Sequence, residues 1–527
     1  MHTFRKQILM ILSAILSFHF VQSENAPKIT RNAENAMLKA TRFMFEKVST
    51  NGGFVWYYTP DLSRRWGELE ATKSMIWLQD PGTTLVGHTM LDAYAATNNE
   101  YYYNAACKVA NALIFGQSTE GGWNYLIDFE GDRALKRWYA TIGKNAWRFE
   151  EYQHYYGNST FDDNVSSDAA RFLLRIYLTK LAPEYKTALD KAIGFVLNSQ
   201  YSNGAWPQRY PLMGGFCKNG KPDYTSFYTY NDDVIKENVN FLIQCYLSLG
   251  EKRFLEPIER AMNFYLLSQD SSGGWGQQMD LEMHTAGARS YEPAALLPKN
   301  TVAVIYQLMD FYRYTGDSKF LKPIPAALHW LSASKLSLEL TENGRYTHPQ
   351  FVEIGTNKAL YPHRKGSNAI YGYYYVDYNS TDLLAHYGGK TFVDVEKIQS
   401  EYEQLLAMDV DTLKRNSLLF GNAAFKLPGR SLDKFSAYGN IDKAAVLKLI
   451  NELDKEGRWL VKHAMISHPY SGDGIKKEAT NEFSCSFVGD ETDTSPYRDM
   501  SDALYISTGA YVRNMRMLIS FVSSTKN

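Results

Sequence analysis

Two short loops rich in carboxylate and amide side chains carry the residue types best suited to chemistry. Residues 160–164 read Thr-Phe-Asp-Asp-Asn and residues 230–233 read Tyr-Asn-Asp-Asp, and each loop stands directly ahead of a stretch with helical spacing. Adjacent acids at the start of a helix commonly act as N-caps. If both loops face one groove, Asp162, Asp163 and Asp232 also supply the hard oxygen ligands that calcium prefers.

Two arginines lie in polar segments of the same kind. Arg289 belongs to Ala-Arg-Ser-Tyr-Glu-Pro at residues 288–293, and Arg364 belongs to the basic Pro-His-Arg-Lys at residues 362–365. Such arginines can form ordinary ion pairs or lie in solvated turns. A planar guanidinium also binds a carboxylate through two parallel hydrogen bonds, so Arg364 is a candidate clamp for carboxylates.

A repeated turn indicates which elements position these loops. The pattern Gln-x3-Gly-x-Trp occurs three times, a fainter copy occurs at residues 51–54, and apolar stretches with helical spacing precede the three full copies. A helix that ends in a glycine turn with a buried tryptophan, repeated at this long period, predicts a ring of helical hairpins. The polar loops then lie at a mouth of the ring, where sites commonly form. The full copies are Gln117–Trp123, Gln200–Trp206 and Gln269–Trp275.

The helical pattern changes along the chain. It dominates residues 35–334, gives way to loops and short strands over about 336–382, and returns at 395–406. The block after about residue 411 shows less repetition, and its end, 503–522, predicts an amphipathic helix. We expect a signal peptide at 1–23, the ring domain at 24–410 and a C-terminal extension of unknown role at 411–527.

Composition and the N-terminus narrow the function classes. Fifty-six basic residues balance 57 acidic ones, so no basic field recruits nucleic acid. Arg5 and Lys6 precede an apolar run over 8–21 and a small-residue cleavage site at Ser23, which predicts a signal peptide and a secreted or periplasmic protein. No later segment is apolar enough to span a membrane, and we expect a monomer. The 38 Tyr, 27 Phe and 10 Trp suit either the ring core or a groove that stacks on sugars.

Five segments together resemble the pectate lyases of polysaccharide lyase family 10, over roughly residues 30–405. They are Asn-Gly-Ala-Trp-Pro-Gln-Arg-Tyr-Pro-Leu at 203–212, Thr-x-Asp at 160–162, Tyr-Asn-Asp at 230–232, Ala-Arg-x-Tyr-Glu-Pro at 288–293 and Glu-Ile-Gly-Thr-Asn at 353–357. The resemblance implies an incomplete α/α toroid dominated by helices. It also implies a groove for polygalacturonate, a calcium requirement and cleavage by β-elimination.

The resemblance assigns roles to individual residues. It implies that Asp162 and Asp232 serve the metal and the substrate carboxylate, and that Arg289 is the base. Arginine is a poor base because its pKa exceeds about 12, so a metal-bound hydroxide or a tyrosine stays open as the base. We expect the substrate to contact Arg364, Trp206, Tyr230 and Asn231.

One departure from the family pattern lies in the first acidic loop. The family usually continues this loop as Asp-Asn-Gly, whereas this chain has Asp162-Asp163-Asn164. The extra acid, Asp163, could join the metal ligands or cap the following helix, and we slightly favour capping.

Three other function classes stay open. Terpene cyclases also carry the Gln-x3-Gly-x-Trp turn, although the turn is structural and the signal peptide disfavours this class. A glycoside hydrolase on the same ring could use Asp162 and Asp232 as its two carboxylates. A non-catalytic protein could bind pectin through Arg364 and aromatic side chains.

Overall fold

A computed structural model gives the structure of the protein. It describes residues 27–146, 150–213, 223–365, 373–381, 389–415, 442–462 and 503–526, with the single residues 383, 417, 419 and 464. The expected signal peptide lies outside these residues. Within them, no helix is both long and apolar enough to cross a membrane.

Four helical hairpins form most of the ring. In each hairpin the first helix lines the inside of the ring and the second helix packs outside it. Apolar side chains recur at helical spacing on the faces where these helices pack. The first helices are α2 (Thr83–Thr97), α6 (Val165–Lys180), α8 (Val234–Leu249) and α10 (Pro298–Thr315). The second helices are α3 (Glu100–Gly116), α7 (Lys186–Asn198), α9 (Leu255–Leu267) and α11 (Ile324–Ala333).

Further helices flank these hairpins. Helix α1 covers residues 27–43 and continues as a π-helical turn, Met44–Val48. The insertion before α6 contains α4 (Asp132–Thr141) and the short α5 (Glu150–Gln153). Helices α12 (Val395–Leu406) and α13 (Val410–Arg415) pack on α11 and α10, and the C-terminal block adds α14 (Lys443–Glu452) and α15 (Thr508–Lys526).

The repeated turn joins one hairpin to the next. Gln200 Nε2 donates to Gly204 O at 3.1 Å and to Pro257 O of α9 at 2.9 Å, and Trp206 Nε1 donates to Val196 O at 2.8 Å. Gly204 has φ +99°, and a Cβ there would lie 2.2 Å from Arg260 O, so only glycine fits. The copies ending at Trp123 and Trp275 make the same three bonds.

This joint corrects one expected role. Trp206 is 0% exposed and its indole N–H is held inside the joint, so it does not lie where a substrate could contact it.

The C-terminal block contains a further copy of the turn. Trp459 Nε1 donates to Leu449 O, ten residues earlier, at 2.9 Å, as the other tryptophans do. Gly457 has φ +92°, and a Cβ there would lie 2.8 Å from Lys39 O of α1. The sequence pattern missed this copy because Leu453 replaces the glutamine. Helix α14 therefore behaves as an outer helix that is joined to α1.

The last helix packs into the same core as the ring. Helix α15 lies against α2, and the hydroxyls of Thr41 and Tyr511 are 2.8 Å apart. The expected helix over 503–522 begins later, because Tyr505–Ser507 form a strand before α15. In the described part of the chain, α13 packs on α10 and α15 packs on α2, so helices on both sides of residue 410 share one core with the ring.

Short antiparallel strands gather at one mouth of the ring. The strand before an inner helix pairs with the strand that follows the next tryptophan turn, so each acidic loop is fixed between two hairpins. These strands are β3 (Met75–Trp77) with β4 (Leu126–Asp128), β5 (Ser159–Thr160) with β6 (Arg209–Tyr210), and β7 (Tyr228–Thr229) with β8 (Gln278–Met279) and β9 (Thr285–Ala286).

The remaining strands complete the mouth. They are β1 (Tyr57–Tyr58), β2 (Arg65–Trp66), β10 (His348–Pro349), β11 (Phe351–Val352), β12 (Ala359–Lys365), β13 (Tyr373–Asp377), β14 (Lys390–Thr391), β15 (Leu460–Val461) and β16 (Tyr505–Ser507). The sheet order β15-β16-β1-β2 ties the C-terminal block to the start of the ring. The expected class, a helix-dominated α/α toroid with short strands at one mouth, is confirmed.

Candidate active site

The two acidic loops are equivalent turns of neighbouring repeats. Each enters its helix through a 3-10 turn, Asp162–Asn164 before α6 and Asn231–Asp233 before α8. Asp163 and Asp232 have φ +48° and +51°, and the next residues have φ +63° and +60°. The backbone therefore aligns Asp163 with Asp232, and Asp162 with Asn231.

Asn164 takes the place of the glycine in the family pattern. Asn164 adopts φ +63° where the family pattern has Gly, and asparagine is among the residues that accept this conformation most readily. The capping interpretation of Asp163 is wrong, because no side chain caps α6. Instead Asp163 Oδ2 accepts a hydrogen bond from Gln79 Nε2 at 2.6 Å.

Arg289 lies at the centre of a buried group of carboxylates. Its Nη2 is 2.6 Å from Asp162 Oδ2, its Nε is 3.3 Å from Glu151 Oε2, and its Nη1 is 3.5 Å from both Asp232 Oδ2 and Glu292 Oε1. The structure thus brings together Arg289, Asp162 and Asp232. Burial alone would lower the pKa of Arg289, but the carboxylates, Asp162 foremost, hold it well above its usual value.

Asp162 is fully used inside the protein. It is 0% exposed, its Oδ1 accepts from Gln208 Nε2 at 3.0 Å, and its Oδ2 accepts from Tyr125 and Arg289. Burial would raise the pKa of Asp162, but Arg289 and the hydrogen bonds lower it to about 2. Asp162 is therefore ionised, and it holds the guanidinium of Arg289 in place.

Asp163 and Asp232 face a cavity of about 720 Å³. Burial first, and then the negative charge of Asp162, raise the pKa of both carboxyls well above the usual range. A cation beside these two carboxyls would favour their ionised forms. Asn164, on the same wall, has an Oδ1 that is buried and has no hydrogen-bond partner in the described part of the chain.

These oxygen donors suit a hard cation. Calcium takes six to eight oxygen ligands, which include water and ligand oxygens, so two carboxylates and an amide oxygen supply only part of a shell. Across the described residues, no group of three or more His, Cys, Asp or Glu is arranged as a complete metal site. Asp163 and Asp232 therefore fit a cation whose coordination shell is completed by oxygens of the bound ligand. The oxygens of Asp162 already accept hydrogen bonds from protein groups.

Sequence reasoning missed the acids that hold Arg289 from the other side. Glu151 contacts its Nε, and Glu150 Oε1 accepts from Ser290 N at 3.0 Å, so α5 fastens the arginine loop. Burial raises the pKa of Glu151 to about 7, despite the opposing effect of Arg289. Glu292 was visible within the Ala-Arg-x-x-Glu-Pro segment, whereas nothing in the local sequence marks Glu150 or Glu151.

The expected substrate-binding residues separate in the structure. Tyr230 lines the cavity while its hydroxyl lies 2.6 Å from Ser268 Oγ, and Asn231 also lines the cavity. The backbone of Arg364 lies opposite Tyr374 in the β12–β13 pair, and the ring of Tyr374 contacts Tyr291. The side chain of Arg364 lies outside the described part of the structure.

Comparisons with known structures return helical-ring enzymes at low identity. A family 10 polysaccharide lyase from Cellvibrio cellulosa, a variant in complex with trigalacturonic acid, is 19% identical with TM-score 0.35, over 52% of this chain and 86% of that one. Cellobiose 2-epimerase from Spirochaeta thermophila is 11% identical with TM-score 0.42, over 95% and 99%. An alpha-1,6-mannanase from Salegentibacter sp. HEL1_6 is 9% identical with TM-score 0.37, over 95% and 100%.

No curated protein matches the chain. Residues 128–405, more than half of the chain, match the model of the pectic acid lyase family. The matched range contains both acidic turns, α5 and the Arg289 loop. The chain therefore belongs to the pectic acid lyase family, and it is a lyase that acts on acidic polysaccharide.

Proposed function

We propose that the protein is a secreted pectate lyase that cleaves polygalacturonate by calcium-assisted β-elimination and releases unsaturated oligogalacturonides. The observation that carries the proposal is the contact of the buried Arg289 with both Asp162 and Asp232, of which Asp232 lies in the wall of the cavity. In this arrangement a guanidinium lies beside a carboxylate that is free to bind a cation. Both can act on one substrate carboxylate.

The elimination requires removal of the proton on C5, which lies beside the C6 carboxylate of the uronide. Calcium, when bound by Asp163 and Asp232, would neutralise that carboxylate and so make the C5 proton more acidic. Asp162 fixes the guanidinium of Arg289 through the 2.6 Å bond to Nη2. The electron pair of the C5–H bond becomes the C4=C5 double bond. The C4–O bond breaks, its electron pair stays on the oxygen of the departing sugar, and that oxygen takes a proton from water.

The proton acceptor is the Arg289–Glu151 pair in this proposal. Arg289 can accept the C5 proton only after it has lost one of its own, and Glu151 Oε2, 3.3 Å from Nε, is the neighbouring group to receive it. The exchange is uphill, because the pKa of Arg289 is held well above its usual value and that of Glu151 is about 7, so Arg289 is the base only in a short-lived state of the bound complex. Arg289→Lys and Glu151→Gln should both lower kcat, and Glu151→Gln should also change the pH profile of kcat.

Ultraviolet absorbance tests the reaction directly. Elimination from polygalacturonate leaves a conjugated double bond that absorbs, and the absorbance should rise with calcium and stop rising with chelator. Saturated products would instead identify a hydrolase. Activity that is insensitive to chelator would remove calcium from the mechanism, and binding of pectin without any product would indicate a non-catalytic protein.

Secretion rests on the N-terminal sequence. The charged start, the apolar run and the small-residue site predict cleavage near Ser23. Mass spectrometry of exported protein should therefore give a chain that begins close to residue 24, and an exported chain that retains Met1 would contradict the proposal.

A further inference from the structure

The cavity beside the acidic turns is lined by three cationic side chains, and two of them already have partners. Arg171 Nη2 lies 2.8 Å from Glu237 Oε2, and Lys236 Nζ lies 3.5 Å from Asp233 Oδ1. The third, Lys299, is exposed, and no carboxylate among the described residues pairs with it. Lys299 therefore offers the cavity a positive charge that the protein does not neutralise.

Lys299 stands in the first turn of α10, where backbone amides add to its charge. Pro298 is the first residue of this helix, and no side chain caps it. The first helical bond runs from Thr301 N to Leu297 O at 2.9 Å, so the amides of Lys299 and Asn300 precede the bonded part of the helix. Free amides and the helix dipole both attract an anion at an N-terminus.

A buried amide that lacks a partner lies beside this turn. Gln277 lines the same cavity and is 0% exposed, and neither Nε2 nor Oε1 has a hydrogen-bond partner in the described structure. Leaving such a group unpaired costs about 1–3 kcal/mol, and this amide is free to hydrogen-bond a molecule bound in the cavity.

The backbone holds Gln277 between two helix starts. Its carbonyl accepts from the amides of Tyr230 and Asn231, each at 2.9 Å, at the start of α8. On the other side, Asn300 Nδ2 donates to Gly276 O at 3.5 Å, which connects it to α10. Gln277 thus lies between the Asp232 turn and the Lys299 turn.

We infer that Lys299, the first-turn amides of α10 and Gln277 form a binding subsite for a second carboxylate of the uronide chain. The ammonium and the amides would take the carboxylate, and the Gln277 amide would hydrogen-bond a sugar hydroxyl as donor or acceptor. The site at Asp163, Asp232 and Arg289 binds the sugar unit that reacts. The Lys299 subsite binds a neighbouring sugar unit of the same chain in the cavity.

This inference rests on the proposed function, because it takes the ligand to be an acidic polysaccharide. The subsite makes affinity depend on a free carboxylate at a unit that does not react. Methyl esterification at that unit would remove the anion and weaken binding. The residues of the subsite do not take part in proton removal, so KM rather than kcat should respond to their substitution.

Kinetics on polygalacturonate with Lys299→Met, Lys299→Arg and the control Lys322→Met tests the subsite. Lys322 is also an exposed lysine directly before an N-terminal helix turn, that of the outer helix α11, but it does not line the cavity. Lys299→Met should raise KM about tenfold, as expected for loss of a hydrogen bond to a charged group, with kcat within about twofold. Lys299→Arg and Lys322→Met should stay near wild type.

Calorimetric binding of trigalacturonate gives a readout that needs no turnover. Lys299→Met and Gln277→Leu should each weaken binding, and the loss of preference for free over methyl-esterified trimer should be specific to Lys299→Met. Wild-type kinetics and affinity in Lys299→Met would overturn the subsite while the lyase activity stands. Wild-type protein that binds the trimer through Lys299 yet forms no unsaturated product would overturn the function and keep the subsite. Wild-type protein that does not bind the trimer would overturn the subsite.

Discussion

The turns before α6 and α8 have the same backbone and differ in how they use the side chain at one position, Asp162 in the first and Asn231 in the second. In the first turn, Asp162 is wholly buried and bonded to Arg289, Gln208 and Tyr125. Its counterpart in the second turn, Asn231, lies in the cavity wall. The first turn therefore supports the arginine from within through Asp162, whereas the second turn has an amide in the cavity wall at the same position.

The pair Asp163 and Asp232 shows how position within the repeat sets the role. Both residues have the same left-handed backbone, which directs the carboxylates to the cavity rather than to the helix amides. Equivalent turns in adjacent hairpins thus provide two oxygen donors on one wall. A repeat fold can thus build a cation site by repeating one turn. The difference between Asp162 and Asn231 then gives one of the turns the carboxylate that supports Arg289.

The largest effect should follow from Asp162→Ala. Removing this carboxylate takes from the buried Arg289 its shortest ion pair, which should lower the free energy of unfolding by about 3–5 kcal/mol. The same change should abolish measurable elimination. Denaturant unfolding and product absorbance measure the two effects. Asn231→Ala, at the equivalent position, is the matched control and should retain the fold. Equal destabilisation by both substitutions would mean that the two turns do not differ as described.

Asp232→Asn should act on calcium rather than on the fold. It removes a charged oxygen donor, so the calcium concentration for half-maximal activity should rise by at least about tenfold. Because the acids repel one another, the free energy of unfolding without calcium should stay the same or increase. Asp163→Asn should shift the calcium requirement in the same direction. A normal calcium requirement in both variants would place the cation elsewhere.

Glu151 should make the stability of the calcium-free protein depend on pH. Its folded pKa of about 7 exceeds the ordinary value of 4.5, so the native state keeps a proton that the unfolded state has lost. Its stabilising contribution is present below pH 4.5 and is lost as the pH rises toward 7. Glu151→Gln should therefore flatten this decline by up to about 1.4 kcal/mol per pH unit. Unchanged pH dependence in urea unfolding would show that Glu151 is ionised in the native state.

Trp459→Phe should have the smallest effect of the four. It removes the indole bond to Leu449 O, which contributes about 0.5–1.5 kcal/mol, and Trp206→Phe should cost a similar amount. Matching losses in thermal unfolding would establish the C-terminal copy as an energetic equivalent of the others. If Trp459→Phe left thermal stability unchanged while Trp206→Phe lowered it, the C-terminal turn would contribute less to stability than the other copies.

The ring was predictable because its joint is local. Glutamine, glycine and tryptophan within seven residues make the bonds that define the turn, so a pattern search finds three copies. The copy at Trp459 escaped because Leu453 replaces the glutamine, although the glycine and the indole bond persist. The same joint explains the error at Trp206, which was expected in the groove and lies in the core.

The site was predictable only where the resemblance supplied it. Asp162, Asp232 and Arg289 were expected together and do lie together, whereas Glu151 meets Arg289 across 138 residues with no local signal. The capping interpretation of Asp163 failed for a backbone reason. A positive φ is not visible in a pair of acids, and it decides where their side chains point.

The pairing of β16 with β1 bears on the order in which the chain can fold. Ser507 pairs with Tyr57, and Thr30 and Thr525 are hydrogen-bonded across 495 residues. During synthesis one edge of β1 stays unpaired, and the part of α2 that α15 covers stays exposed, until the last helix has been made. The N-terminal part of the ring is thus exposed to aggregation for the longest time, and contacts this distant make folding slow. A chaperone that shields β1 and α2 would act on the most vulnerable stage.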